Sequence, residues 1–183
     1  MITTTHIVIN AASARAPKIR DKINANGKWL TLGGLAPDVF LYLASIIWGG
    51  YYSLTTTLSS QQVLDLLYDD LFFNNPAWLI GQNFLHAPLV LLGLYLLAQI
   101  KNWAALKWFA IGCGLHTLID IITHHNDGPL LLFPLNWSYR FSSPVSYWDP
   151  DYYGNILGSV DLTITIVGGL AFLILWLRHR GSD

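Results

Sequence analysis

Apolar positions in this chain gather into long blocks, and four of these are long enough to cross a bilayer, which takes about 20 residues. They fall near residues 29–52, 77–100, 106–125 and 156–177, the last reading ILGSVDLTITIVGGLAFLILWL. Between the blocks the pattern changes. Residues 3–16 read as a short helix with Thr4 or Thr5 as its N-cap, separated from the first span by Pro17 and the basic stretch KIRDKINANGK. In SSQQVLDLLYDDLFF, Val63, Leu64, Leu67 and Leu71 recur at helical spacing among acids, which predicts an interfacial helix ending at Asn74-Asn75-Pro76. Residues 126–155 are rich in proline and aromatics and predict a structured cap. No internal repeat or low-complexity tract is present. The predicted fold is all-α: a single integral membrane domain over residues 1–183, with about four transmembrane helices plus short N-terminal and interfacial helices.

Composition sharpens this picture. Of 183 residues, 53% are hydrophobic and 11% charged, against about 25% charged in ordinary soluble domains. Tryptophans 29, 48, 78, 103, 108 and 176 sit at or near span ends, as an aromatic belt would place them. Arg15, Lys18, Arg20, Lys22 and Lys28 precede span one; Lys101 and Lys107 lie between spans two and three; Arg178 and Arg180 follow span four. Only Arg140, of the 10 cations, falls in the other connections. That sorting predicts both termini in the cytoplasm. A net charge of -1 gives no basic field for nucleic acid. Cys113, the sole cysteine, excludes an internal disulfide and a thiolate zinc cage. The first thirty residues lack a basic segment followed by an apolar one, so no cleaved signal peptide is expected.

The candidate chemistry lies inside the spans. Asp38 and His86 are tenth in spans one and two, and His116 is eleventh in span three. At about 1.5 Å per residue each lies near mid-bilayer, where they can meet whichever way the helices run. His116, Asp120 and His124 are spaced by four and share one helix face. Asp161, sixth in span four, should reach the depth of Asp120. An ionised carboxylate at that depth costs several kcal/mol, and no lysine or arginine is there to pair with it. A divalent cation would satisfy carboxylates and imidazoles together; zinc suits them, with manganese or iron as alternatives. The competing reading is a plain hydrogen bond or cap within the bundle for Asp38, His86, His116 and Asp120, an ordinary polar helix end for His124, and a ligand-orienting or helix N-terminal charge for Asp161. His125 and His179 read as solvated, and Asp127 as a turn residue before Gly128.

These pieces resemble the membrane-bound metal-dependent hydrolase family of small bacterial inner-membrane proteins, itself remotely similar to the zinc-dependent phospholipase C helical fold. The matching elements are Thr5-His6, Ala36-Pro37-Asp38, Leu85-His86-Ala87 and the run from His116 through Asp120 to Thr123, followed by Gly128-Pro129 and Phe133-Pro134-Leu135. The resemblance spans roughly residues 3–150. It implies a metal site and adds His6 to the ligand set, provided the N-terminal helix tucks under the bundle. Phe40 stands where many members carry a second aspartate, and Leu85-His86-Ala87 replaces Thr-His-Ser.

The function expected is therefore metal-dependent hydrolysis at the membrane. His6, Asp38, His86, His116, Asp120 and His124 are the candidate ligands, and Asp120 or Asp161 the proton acceptor. A half-buried site with apolar walls would suit an amphipathic small molecule, such as a phosphoester or a lipid-linked compound, with membrane lipid as the other partner. Arg140 would either clamp its anionic head, pair with Asp149 or Asp151, or be drawn to lipid headgroups. A metal or proton transporter and a non-catalytic protein with a structural metal are the rivals. No GxSxG or Gly-rich phosphate motif is present.

Overall fold

The computed structural model describes residues 1–180. Ten α-helices follow in order: α1 (Thr3–Arg15), α2 (Pro17–Ile23), α3 (Gly27–Gly33), α4 (Ala36–Thr55), α5 (Ser60–Asp65), α6 (Phe72–Asn74), α7 (Pro76–Asn83), α8 (Pro88–Ile100), α9 (Ala104–Thr123) and α10 (Gly154–Arg180). One isolated bridge, Leu130 with Arg140, is the sole β pairing among the described residues. Three helical runs, Pro17–Thr55, Ala104–Thr123 and Gly154–Leu175, are each long and apolar enough to cross a membrane. The pair α7–α8, bent by 48°, makes a fourth. The all-α membrane bundle expected from the sequence is thus present.

Two spans are broken where continuous helices were expected. Between α7 and α8, Pro88 has no N–H to donate and forces Ala87 into extended geometry (φ -77°, ψ 124°), which leaves His86 on an unwound segment. Span one is interrupted at Gly34–Leu35, just before Pro37. There the bonds tighten to three-residue steps, Gly34 N–H to Thr31 O (2.9 Å) and Leu35 N–H to Leu32 O (3.0 Å).

Helix α3 reaches α9 through glycines. A Cβ on Gly33 would lie 2.6 Å from the Cys113 nitrogen and the Phe109 oxygen, and one on Gly112 would lie 2.3 Å from Leu30 O. Only bare backbones can approach so closely. This contact brings the break after α3 against the middle of α9.

The N-terminal helix does not lie under the bundle but is threaded into it. One side of α1 buries Thr3, His6, Asn10 and Ala14. Asn10 Nδ2–H donates to Leu30 O (2.9 Å) and Gly112 O (3.0 Å), tying α1 to α3 and α9. On the other side the Thr5 hydroxyl donates to Asp161 O (3.1 Å) and meets Thr165 Oγ1 at 2.7 Å. Neither Thr4 nor Thr5 is the N-cap. Ile2 holds that position, and its N–H is received by Asp161 Oδ2 of α10 at 2.7 Å. Tertiary contact with α10 has taken over the local capping role.

The two ends of the bundle differ. At one, Ala14, Ile23 and Leu30 pack with Ile19 and Trp108 beside the basic connections. At the other, residues 126–155 fold over α9: Tyr147 N–H donates to Thr123 O (2.9 Å), the Ser143 hydroxyl to Ile122 O (2.8 Å), and Leu130 N–H to Asn83 Oδ1 (2.8 Å). His125, expected in solvent, stacks on Tyr152 at 3.5 Å. The interfacial segment opens with a capping box between Ser59 and Gln62, then passes through a π-helical stretch, Leu66–Leu71, into α6. Val63 and Leu67 pack on Ala44 and Trp78. Residues 181–183 and the side chains of Trp176, Arg178, His179 and Arg180 lie outside the described part.

Candidate metal centre

Four groups from three spans converge above the α3–α9 contact. Ligand atoms of Asp38, His86, His116 and Asp120 all lie within 4.8 Å of one another. The backbone decides which imidazole nitrogen each histidine offers. His116 Nδ1 lies 2.9 Å from Gly34 O, the carbonyl freed by the break after α3, and His86 Nδ1 lies 2.6 Å from Gln82 O at the end of α7. A carbonyl accepts only, so each Nδ1 carries its proton and each Nε2 presents a lone pair in the neutral ring.

Those Nε2 atoms face acceptors. They are 3.2 Å apart. His116 Nε2 is 2.9 Å from Asp120 Oδ2 and 3.4 Å from Asp38 Oδ1, and His86 Nε2 is 3.5 Å and 3.4 Å from the same oxygens. Two carboxylates and two ring lone pairs thus point at a common volume. Only protons on Nε2 or a cation can hold them together in surroundings where His116 is fully buried and Asp120 almost so. The donor set, two imidazoles and two carboxylate oxygens, fits a divalent transition metal. Outer partners also fit: the Thr3 hydroxyl donates to Asp38 Oδ2, and Tyr42 OH touches the same hydroxyl at 2.9 Å.

Asp120 faces two ways. Its Oδ2 belongs to the cluster above, while Oδ1 lies 3.0 Å from His6 Nε2, 3.4 Å from His124 Nε2 and 3.0 Å from the Met1 amino group. His6 is wholly buried, stacked on His116 with ring centroids 3.7 Å apart, and neither of its ring nitrogens makes an aligned hydrogen bond. Asp120 is therefore placed as a carboxylate shared between His86 with His116 on one side and His6 with His124 on the other.

The remaining candidates sit elsewhere. Asp161 is fully buried but does not line the cavity of about 400 Å³ that opens on the cluster. One of its oxygens receives Ile2 N–H and the other has no partner. Asp127, read as a turn residue, instead places Oδ2 3.1 Å from His124 Nδ1 and accepts from Trp148 Nε1 at 2.9 Å. Burial pushes the Asp127 carboxyl up, but the adjoining His124 ring more than offsets this and leaves it below the usual carboxylate range. Its spacing of three from His124 was the available signal. Arg140 stands on the cavity wall and pairs with neither Asp149 nor Asp151. The carbonyls of Gly34 and Gln82 were invisible to side-chain motifs.

Comparison with known proteins finds that residues 1–181 match the family model described as YdjM inner membrane protein. No curated protein matches, and no solved structure matches.

Proposed function

The chain belongs to that family of inner membrane proteins, and from this premise and its polar cluster we propose that it is a metal-dependent hydrolase acting on an amphipathic substrate. The observation that carries the reading is the convergence of Asp38, His86, His116 and Asp120, with both histidines held in one tautomer by backbone carbonyls, at the floor of an open cavity. The family match and the helices locate the protein in the membrane. The basic end is proposed to face the cytoplasm, so that the cap and the cavity mouth face outward.

A divalent cation held there, zinc by preference, supplies Lewis-acid charge to an ester and activates water at neutral pH. The chain's own residues do the rest. Asp38, His86, His116 and Asp120 would hold a first ion. His6 and His124, sharing Asp120, would hold a second. Asp127 orients His124. Thr3 steadies Asp38 by donating to its Oδ2, and Asp38 lines the cavity, where its carboxylate can take a proton from water. Asp161, considered as a proton acceptor from sequence depth, is assigned instead to anchoring the start of α1 and so to placing His6. The cavity wall combines these polar groups with Leu41, Tyr42, Tyr68 and Phe72, which suits a molecule with one polar and one apolar part. The transport reading is weaker because, one turn below His6, the buried Asn10 amide is spent on Leu30 O and Gly112 O, and Ala14, Ile23 and Leu30 pack an apolar cluster beyond it.

The test is a hydrolysis screen in detergent or nanodiscs, stripped of metal by chelator and reloaded with zinc, manganese or iron. Amphipathic phosphoesters and carboxylic esters should be cleaved only after reloading, and His116→Ala should abolish the rate. A folded, metal-loaded protein that cleaves nothing in both ester classes would rule out the hydrolase.

A further inference from the structure

Arg140 is the one cation of the cap, and its surroundings do not neutralise it. Its backbone is pinned by the bridge to Leu130 and by Leu131 N–H donating to Tyr139 O at 3.1 Å. Its guanidinium lies 5.3 Å from the ring centroids of both Phe72 and Phe73, and one N–H donates to Gly128 O. No carboxylate among the described residues forms an ion pair with it. Asp127 is within Coulombic range, its Oδ2 taken by His124 and Trp148 and its Oδ1 unpartnered, but neither oxygen forms an ion pair or hydrogen bond with the guanidinium. A guanidinium has five N–H donors in a fixed fork, and a single carbonyl uses only one of them. Burial pushes the group down to about 10, which still leaves it charged at neutral pH.

Its position gives this unmatched charge a purpose. Arg140 shares the cavity of about 400 Å³ with Asp38, His86 and Asp120. A second cavity of about 390 Å³, sharing Leu41, Tyr68 and Phe72 with the first, continues past Phe73 and Trp148, with Asp69 and Asp127 also on its wall. Both rings lie within cation–π range of the guanidinium, and its planar fork matches oxyanion geometry. We propose that Arg140, set against Phe72 and Phe73, is an oxyanion subsite that receives a phosphoryl group of the substrate beside the metal cluster, the apolar part of the molecule following the second cavity. This rests on the hydrolase reading for its reaction but not for its binding. It narrows the substrate from any amphiphile to a phosphate ester.

The test uses inorganic phosphate as the probe, titrated calorimetrically into the metal-loaded protein in detergent, with Arg140→Gln and Arg140→Lys alongside. Charge-assisted hydrogen bonds are worth roughly 1.5–3 kcal/mol, or about 10- to 100-fold in affinity. Arg140→Gln should weaken phosphate by about tenfold or more with metal content unchanged, and Arg140→Lys should fall between, since it keeps the charge but loses the fork. If Arg140→Gln does not fold, the Lys variant decides: about threefold or greater weakening supports the subsite and wild-type affinity overturns it. No saturable phosphate binding by the wild type, or variants within about twofold of it, also overturns it. Arg140-dependent phosphate binding without turnover of any ester would leave the subsite standing and remove the hydrolase; turnover of neutral and anionic esters alike, untouched by Arg140→Gln, would do the reverse.

Discussion

Helices α9 and α10 are both uninterrupted, apolar and long enough to span a membrane, yet they live in different surroundings. A third of the apolar window of α9 is buried by protein, against 6% for α10. Helix α9 is wrapped by α3, α8, α1 and α4, whereas α10 leans chiefly on α1. The chemistry follows the packing. Enclosure lets α9 keep His116 and Asp120, because neighbours on several sides bring partner groups to the same depth. Helix α10 keeps one buried acid, Asp161, at the place where α1 meets it. Elsewhere α10 turns residues such as Ile166, Leu170 and Ile174 outward, as a lipid-facing helix does. Ionisable groups in this bundle survive only where another helix answers them.

The comparison breaks most visibly at Asp120. Asp120→Ala removes the shared carboxylate and should strip the bound metal, leaving His6 and His124 without that acid and His86 and His116 with Asp38 alone; elemental analysis of the purified variant reads this directly. Next is the enclosure of α9. Gly112→Ala drives a methyl into Leu30 O and should destabilise by about 1–3 kcal/mol or more, seen as a lower thermal midpoint together with metal loss. Asp161→Ala tests the single answered group of α10. Freed from that anchor, α1 should hold His6 less firmly, and metal affinity on the His6 side should fall by about 10- to 100-fold, measured by competition with a chelating dye, while Asp38, His86 and His116 keep their ion. Leu170→Ala on the outward face of α10 should change stability by no more than about 0.5 kcal/mol. A large effect there would mean that α10 packs against something besides lipid.

Much of this arrangement was legible in the chain. Equal depth brought Asp38, His86 and His116 together on paper because a bilayer fixes a common coordinate for every span. The four-residue step put Asp120 and His124 on the face of His116. Depth misled at Asp161, since sharing a level does not say which neighbour stands between two helices, and here it is α1. That helix was hard to place because its buried side carries Thr3, His6, Asn10 and Ala14 while Ile7, Val8 and Ile9 lie partly outward, a polar-inside pattern that a search for apolar faces passes over. The breaks at Gly34 and Ala87 had signals in Pro37 and Pro88, but nothing in a side-chain motif shows that a freed carbonyl will select an imidazole tautomer.

The central claim is that these histidines and aspartates converge because a cation sits among them. X-ray absorption at the metal edge of the purified, zinc-loaded protein tests it most directly. The account predicts nitrogen and oxygen scatterers at about 2.0–2.2 Å with the outer-shell signature of several imidazoles, diminished in His86→Ala and again in His116→Ala. A spectrum of oxygen alone, without imidazole scattering and unchanged by either substitution, would contradict it.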